Sequence, residues 1–376
     1  MPNDFTPSVI PIVRIKTSNV FKTNVTFNPE LANKPLTAPM VLGKQTANVQ
    51  PLLDVTGGDT CVGARVWYTV ADVTSLPTVG TSPIASECDL TTGDGVSTKV
   101  QDYQLNFFEK PKIALNDKDC DNFSKFTDRV SFLMAQKMSL MAQALNNRVI
   151  ADVEANKSAT VATNLPDGVT IVGGEYVIAA SGAWTGVEAA DTLLILDQLA
   201  STRGLPSNYY ILSGKTLRIS SQLAENKQVN DNQRSYVRLF NRRDISYDMD
   251  NLDSIITEDV VYLIDPNVII SFFTSDYPTQ GMPVGDKNNT IVYSTPLMYH
   301  TQYQDGSDAM SPMQFANNGV MQDVMVDVRH QKTCNITINK NGKPTNDHVW
   351  ELDLQGLIDF IPVEGTNTGI IRVDQA

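Results

Sequence analysis

The sequence predicts an α+β protein, and three observations carry that prediction. The first is a single long helical stretch from about Asn122 to Ala155 that contains no Gly and no Pro. The second is a set of runs rich in β-branched and aromatic residues on both sides of it, bounded by Gly, Pro, Asn and Asp. The third is a segment of alternating strand and helix signals between about residues 160 and 263, which marks a mixed α and β unit.

The helical prediction rests on spacing. Phe123, Phe126, Val130, Leu133, Met134, Met138, Met141, Leu145 and Val149 recur at steps of three and four residues, which lays one apolar stripe along a 3.6-residue helix. Asp121 or Asn122 can cap its start, and Lys125, Lys137 and Arg148 fall on the polar side. At 1.5 Å per residue such a rod is roughly 45–50 Å long. The stripe Met134, Met138 and Met141 suits core packing, with a pliable partner-binding face as the other reading.

Taken in order, residues 1–57 hold Pro2, Pro7, Pro11, Pro29, Pro35, Pro39 and Pro51 and give few helix signals. A solvated tail is one reading. Val9, Ile10, Ile12, Val13, Ile15, Val20, Phe21, Val25 and Phe27 make it too apolar for that, and favour an extended arm lying across a neighbouring subunit. Residues 63–70 and 100–108 read as two strands separated by about thirty residues of turn chemistry, a long hairpin with a polar tip. A ribbon of this kind needs something to lie on.

Beyond the long helix, residues 160–185 are small and β-leaning, with Gly173-Gly174 as a turn. Asp191 opens a second helix with Leu193, Leu194, Leu196 and Leu199 inward and Gly204 as its stop. Pro206 to Ser213 reads as a turn and a buried strand, and Lys215 to Glu225 as a third, shorter helix. Val260 to Asp265 is a strand that Pro266 terminates, and Thr274 to Asn289 an irregular link. Ile291–Tyr303, Met321–Ile338, Val349–Leu354 and Ile370–Val373 are strands, with Asn341-Gly342 as a tight turn.

Composition bounds the function. The chain has 376 residues, 41% apolar and 19% charged, a globular balance long enough for two or three modules. Its 29 Lys plus Arg stand against 42 Asp plus Glu, for a net charge of −13, so bulk phosphate should repel it. Cys61, Cys88, Cys120 and Cys334 show no CxxC spacing and read as reduced thiols. The start MPNDFTPSVI lacks a basic, then apolar, signal pattern, and no window approaches 18 apolar residues, so neither secretion nor a membrane is expected.

The search for chemistry yields no catalytic, cofactor-binding or metal-ligating residue. Gly214-Lys215-Thr216 resembles the end of a phosphate loop, but Tyr209 stands where that loop needs a glycine. His300, His330 and His348 form no i, i+4 pair and read as ordinary polar positions. Asp244, Asp248, Asp250 and Asp253 read as solvated acidic surface, with paired acids of a hydrolase as the competing possibility. No enzyme, no cofactor and no metal is expected.

The order of these parts resembles the major capsid protein of tailed bacteriophages, the Hong Kong 97-type fold. The resemblance divides the chain into an N-terminal arm (1–57), an extended loop (58–112), a peripheral domain (113–189) with the spine helix at 118–155, an axial domain (190–335) and a return to the peripheral domain (336–376). Asp191 to Ala200 followed by Leu205 to Ser213 is similar to the family's helix, turn and central strand. The run 286–335 departs from it, being longer and more β-like. The resemblance implies self-assembly as pentamers and hexamers into an icosahedral head in the host cytoplasm and residence in the virion. It also implies a separate scaffold, portal and decoration proteins, and packaged DNA held without specific binding. Another virion part or an encapsulin-type shell are alternatives. Some relatives join a loop lysine to a neighbour's asparagine, but nothing assigns that role to Lys99.

Overall fold

The computed structural model describes residues 5–22, 48–53, 61–71, 96–116, 123–178, 188–213, 245–247, 260–284, 290–299, 320–338, 344–361 and 367–375. Three helices and sixteen strands are built from them. Helices α1 (Ile10–Lys22), α2 (Phe123–Ala155) and α3 (Glu188–Thr202) are accompanied by three sheets, so the protein mixes helix and sheet as the sequence indicates.

The α2 helix has 33 residues, about 50 Å at the standard rise. Of its predicted stripe, Phe126, Val130, Met134, Met138, Met141, Leu145 and Val149 are all 2% exposed or less, Leu133 is half-buried, and the Phe123 side chain lies outside what is described. The methionines therefore belong to the core. The helix closes at Asn156, whose backbone N–H and side-chain amide both donate to the Asp152 carbonyl. The expected caps Asp121 and Asn122 lie outside the described residues.

A three-stranded antiparallel sheet in the order β1 (Asn48–Leu53), β2 (Cys61–Ala71), β3 (Val96–Gln104) contains the expected hairpin. Its tip, 72–95, lies outside the described residues. Its root is packed: Ala64, Val66 and Tyr103 share a small core with Ile270 and Leu357. Gly63 is needed there, because a Cβ would sit 2.0 Å from the Tyr103 carbonyl oxygen.

The largest sheet is antiparallel and centres on two very long strands, β14 (Val320–Ile338) and β15 (Pro344–Phe360). Its order is β11 (Ile269–Thr274), β15, β14, β13 (Thr290–Met298), β12 (Met282–Val284). The short strands β4 (Phe107–Glu109) and β5 (Lys112–Asn116) also pair with β15. One main core joins this sheet to α1 and α2.

The third sheet is mixed and runs β6 (Val169–Val172), β7 (Glu175–Ile178), β16 (Ile370–Gln375), β10 (Val260–Ile264), β8 (Tyr210–Ser213), β9 (Ile245–Tyr247). Both faces of its centre are covered. In β10, Val260, Tyr262 and Ile264 enter the main core, while Val261 and Leu263 enter a second core under α3 with Leu193, Leu196 and Leu199. That explains the unbroken apolar text of Val260 to Ile264, which a one-sided strand would not show.

Several expectations need correction. Residues 7–22 are not an extended arm: a 3-10 turn (Pro7–Val9) leads into α1. Pro7 and Pro11 fall in first turns, where a missing N–H costs nothing, so the prolines start this helix instead of preventing it. Val9, Ile10, Val13, Thr17 and Phe21 form its buried face against the chain's own body, whereas Ile12 and Ile15 are exposed. Residues 23–47 lie outside the described set. In α3, Leu194 is exposed and Ala200 takes the inward place. The boundary expected at residue 335 falls inside β14, which pairs with β13 on one side and β15 on the other, while the final strand β16 joins β10.

The Gly204 stop appears as expected, with φ of +74° and Leu205 N–H donating to the Ala200 carbonyl. The turn at Gly173-Gly174 likewise has positive φ at both residues and joins β6 to β7. The proposed helix 215–225, the turn at Asn341-Gly342, His300 and the acids 244–253 all lie outside the described residues.

Candidate functional site

Two side-chain assemblies sit where separate elements meet, and both are joints. The first lies at the C-terminal end of α2. Glu154, in the last turn, accepts from Arg372 Nη1 of β16 at 2.7 Å, from Lys157 Nζ at 2.8 Å and from the Tyr262 hydroxyl of β10. Lys157 also donates to Glu175 of β7 at 2.5 Å, and Arg372 Nε to Asp374 at 2.8 Å. Tyr262 and Arg372 are register partners on the sheet face that meets α2, so the pairing of β10 with β16 delivers both to one carboxylate.

The electrostatics follow from burial and charge balance. Burial pushes the Glu154 carboxyl up, but hydrogen bonds from Lys157 and Tyr262 and the charge of Arg372 outweigh it, leaving its pKa below the usual value. Burial works against the Arg372 cation too, yet Asp374 and Glu154 hold it firmly protonated. Burial and the bond to Glu154 keep the Tyr262 hydroxyl un-ionised. The network stabilises charge already present and offers no group poised to exchange a proton near neutrality.

The second joint seats the N-terminal segment. Phe5 places its ring 4.7 Å from that of His330 (β14) and 5.6 Å from that of Trp350 (β15). Phe126 of α2 closes the box, 5.0 Å from His348 (β15) and 6.1 Å from Trp350. Further along, Arg14 donates to the Thr279 carbonyl at 2.5 Å and to that of Ser294, with its guanidinium 5.6 Å from the Tyr293 ring centre. Lys16 bridges to Asp128 at 2.6 Å and to Thr127 at 2.7 Å on α2.

The two described histidines are not isolated. His330 Nε2 and His348 Nδ1 are 2.9 Å apart and both rings are buried. They are 18 positions apart, so no local motif reveals the pair; it follows only from the β14–β15 register, which sets Lys332 against His348 and His330 against Trp350. Arg372 left a clearer trace, a charge inside the apolar strand text Ile370-Ile-Arg-Val373.

Among the described residues no group of three or more His, Cys, Asp or Glu side chains could hold a metal ion, and no helix is long and apolar enough to cross a membrane. Lys99 is half-buried on β3, opposite Tyr68.

No family model and no curated protein matches the sequence. The solved structures to which the chain is similar in shape include phage capsids. The cyanophage A-1(L) capsid asymmetric unit aligns at 13% identity and a TM-score of 0.42, over 94% of this chain and 99% of that one. The capsid of cyanophage P-SCSP1u aligns at 12% identity and 0.40, over 95% and 94%. A satellite phage P4 procapsid that includes a size determination protein aligns at 10% and 0.32, over 89% and 94%. At those values the function is argued from the chain's own packing.

Proposed function

We propose that this chain is a structural protein, the major capsid protein of a tailed bacteriophage with the Hong Kong 97-type fold, which assembles as pentamers and hexamers into an icosahedral head. The carrying observation is the hairpin β2–β3. It is nine residue pairs long; among its described side chains Ala64, Val66 and Tyr103 at its root enter a core, whereas Val100 stands 52% exposed. A ribbon with so little burial of its own completes its packing on another copy.

The α2 helix supports the same reading. Its 33 residues bury one stripe against α1, the large antiparallel sheet and the mixed sheet, a stiff beam that suits a load-bearing wall better than a substrate cleft. In this proposal α2 and the large antiparallel sheet form the peripheral domain. The mixed sheet with α3 forms the axial domain, the Glu154 network locks the two together, and 61–104 is the extended loop. The net charge of −13 suits a wall that must not pin packaged DNA, to which it makes no specific bond. Scaffold, portal and decoration proteins are the partners such a subunit meets. The chain acts in the virion, after assembly in the host cytoplasm, without a cofactor and without catalysis.

Sedimentation of the purified full-length chain across a concentration series tests this. The proposal expects capsomer-sized oligomers or particles, and expects Val100→Asp to weaken them while circular dichroism and the melting temperature stay unchanged. A species of 41.3 kDa at every concentration overturns it.

A further inference from the structure

We propose that the His330–His348 pair makes the docking of residues 5–22 acid-labile, so that protonation releases the N-terminal helix from α2 and the large sheet while the rest stays folded. This inference concerns the single chain and stands apart from the shell reading.

The geometry is specific. Two imidazoles bond to each other at 2.9 Å, and the remaining ring nitrogen of His330, Nδ1, is buried with no hydrogen-bond partner. In the neutral pair one ring N–H donates and the other nitrogen accepts. A proton added to His330 puts a charged N–H at Nδ1 in an aromatic box with no acceptor for it. The faces of Phe5 and Trp350 attract a cation, but less than the water that burial removed. A second proton, on His348, sets two N–H groups against each other across 2.9 Å.

The surrounding ionisable groups do not rescue the cation. His348 comes from β15, Lys332 from the same strand as His330, Tyr293 from β13 and Arg14 from α1, with Lys16 and Asp128 paired between α1 and α2. Burial first, then His348 and Lys332, depress the His330 pKa to about 3. Release takes Phe5 off the ring and admits water, so the burial that depresses the pKa is relieved while His348 and Lys332 stay in place, and the pKa rises toward its ordinary value without reaching it. The docked state thus binds fewer protons, so docking is complete above the released-state pKa and weakens as pH falls below it.

Of the walls of the box, the N-terminal segment is the one that yields. β14 and β15 are bound to each other along most of their length, and α2 is seated by its whole stripe. Residues 5–22 form a short unit held by Phe5, one apolar face, Arg14 and a partly exposed Lys16–Asp128 bridge. Units of that size open first.

Hydrogen–deuterium exchange of the full-length protein, corrected for intrinsic rates, tests the inference between about pH 7.5 and pH 4.5. Protection of peptides within 5–22 is expected to fall about tenfold over that range, while peptides covering 260–264 and 370–375 keep theirs. Flat protection of 5–22 overturns the proposal, and so does simultaneous loss in all three regions. The double variant His330→Phe, His348→Leu is expected to abolish the pH dependence; a variant that loses protection at the wild-type pH overturns the assignment to this pair. Should the double variant not fold, the wild-type comparison of the three regions decides alone.

Discussion

Replacing Glu154 with Gln keeps the side chain's shape and an acceptor for Tyr262 but removes the charge that Arg372 and Lys157 share. Each cation retains one other carboxylate, Asp374 at 2.8 Å and Glu175 at 2.5 Å, so neither is left bare. What is lost is the charge component of two short bonds at a site where the Arg372 side chain is 9% and that of Glu154 28% exposed. Charged hydrogen bonds of this kind contribute about 1.5–3 kcal/mol, and the surviving carboxylates place Glu154→Gln at about 2–3 kcal/mol. The assay is urea unfolding at an unchanged m-value. The sign of the pH dependence is fixed: the folded pKa of Glu154 lies below its ordinary 4.5, so its contribution is present above that value and lost as pH falls through the lowered one. The gap between wild type and variant should therefore narrow as pH falls below 4.5 and through the lowered pKa. An unchanged midpoint at neutral pH, or a gap that acid does not close, refutes the role assigned to this joint.

Two further outcomes follow from packing. Leu145→Ala, at a fully buried position of the α2 stripe, should cost about 2–5 kcal/mol by the same denaturation measurement. Gly281 and Gly204 both have positive φ, near +80° and +74°, but a Cβ at Gly281 would lie 2.3 Å from Ile10 Cδ1 whereas one at Gly204 meets nothing within 4 Å. Gly204→Ala should therefore cost only the strain of about 1–2 kcal/mol, and Gly281→Ala should in addition lower the exchange protection of residues 10–22.

How much of this was legible in the sequence depends on how local each signal is. The α2 stripe, the Gly204 stop and the strand at Val260 to Ile264 are decided by near neighbours, and spacing or composition reveals them. The N-terminal helix has a local signal too, in the helical spacing of Val9, Ile10, Val13 and Phe21, but the prolines at its first turn mask it. The sheet partners were not. Whether β14 joins β10 or β15 depends on contacts far along the chain, and both options present the same apolar text. The histidine pair and the Glu154 network inherit that limit, since each exists only once the registers of β14 with β15 and β10 with β16 are set. Residues 5–22 are seated on the chain's own body, so in the proposed shell the link between subunits would fall to the hairpin.

The hairpin accordingly carries the decisive measurement, an electron cryomicroscopy reconstruction of the particles formed by the purified chain. The account predicts a closed shell of pentamers and hexamers in which residues 61–104 of one copy lie on the body of the next. Particles in which that ribbon folds down on its own subunit, with copies meeting elsewhere, would contradict it.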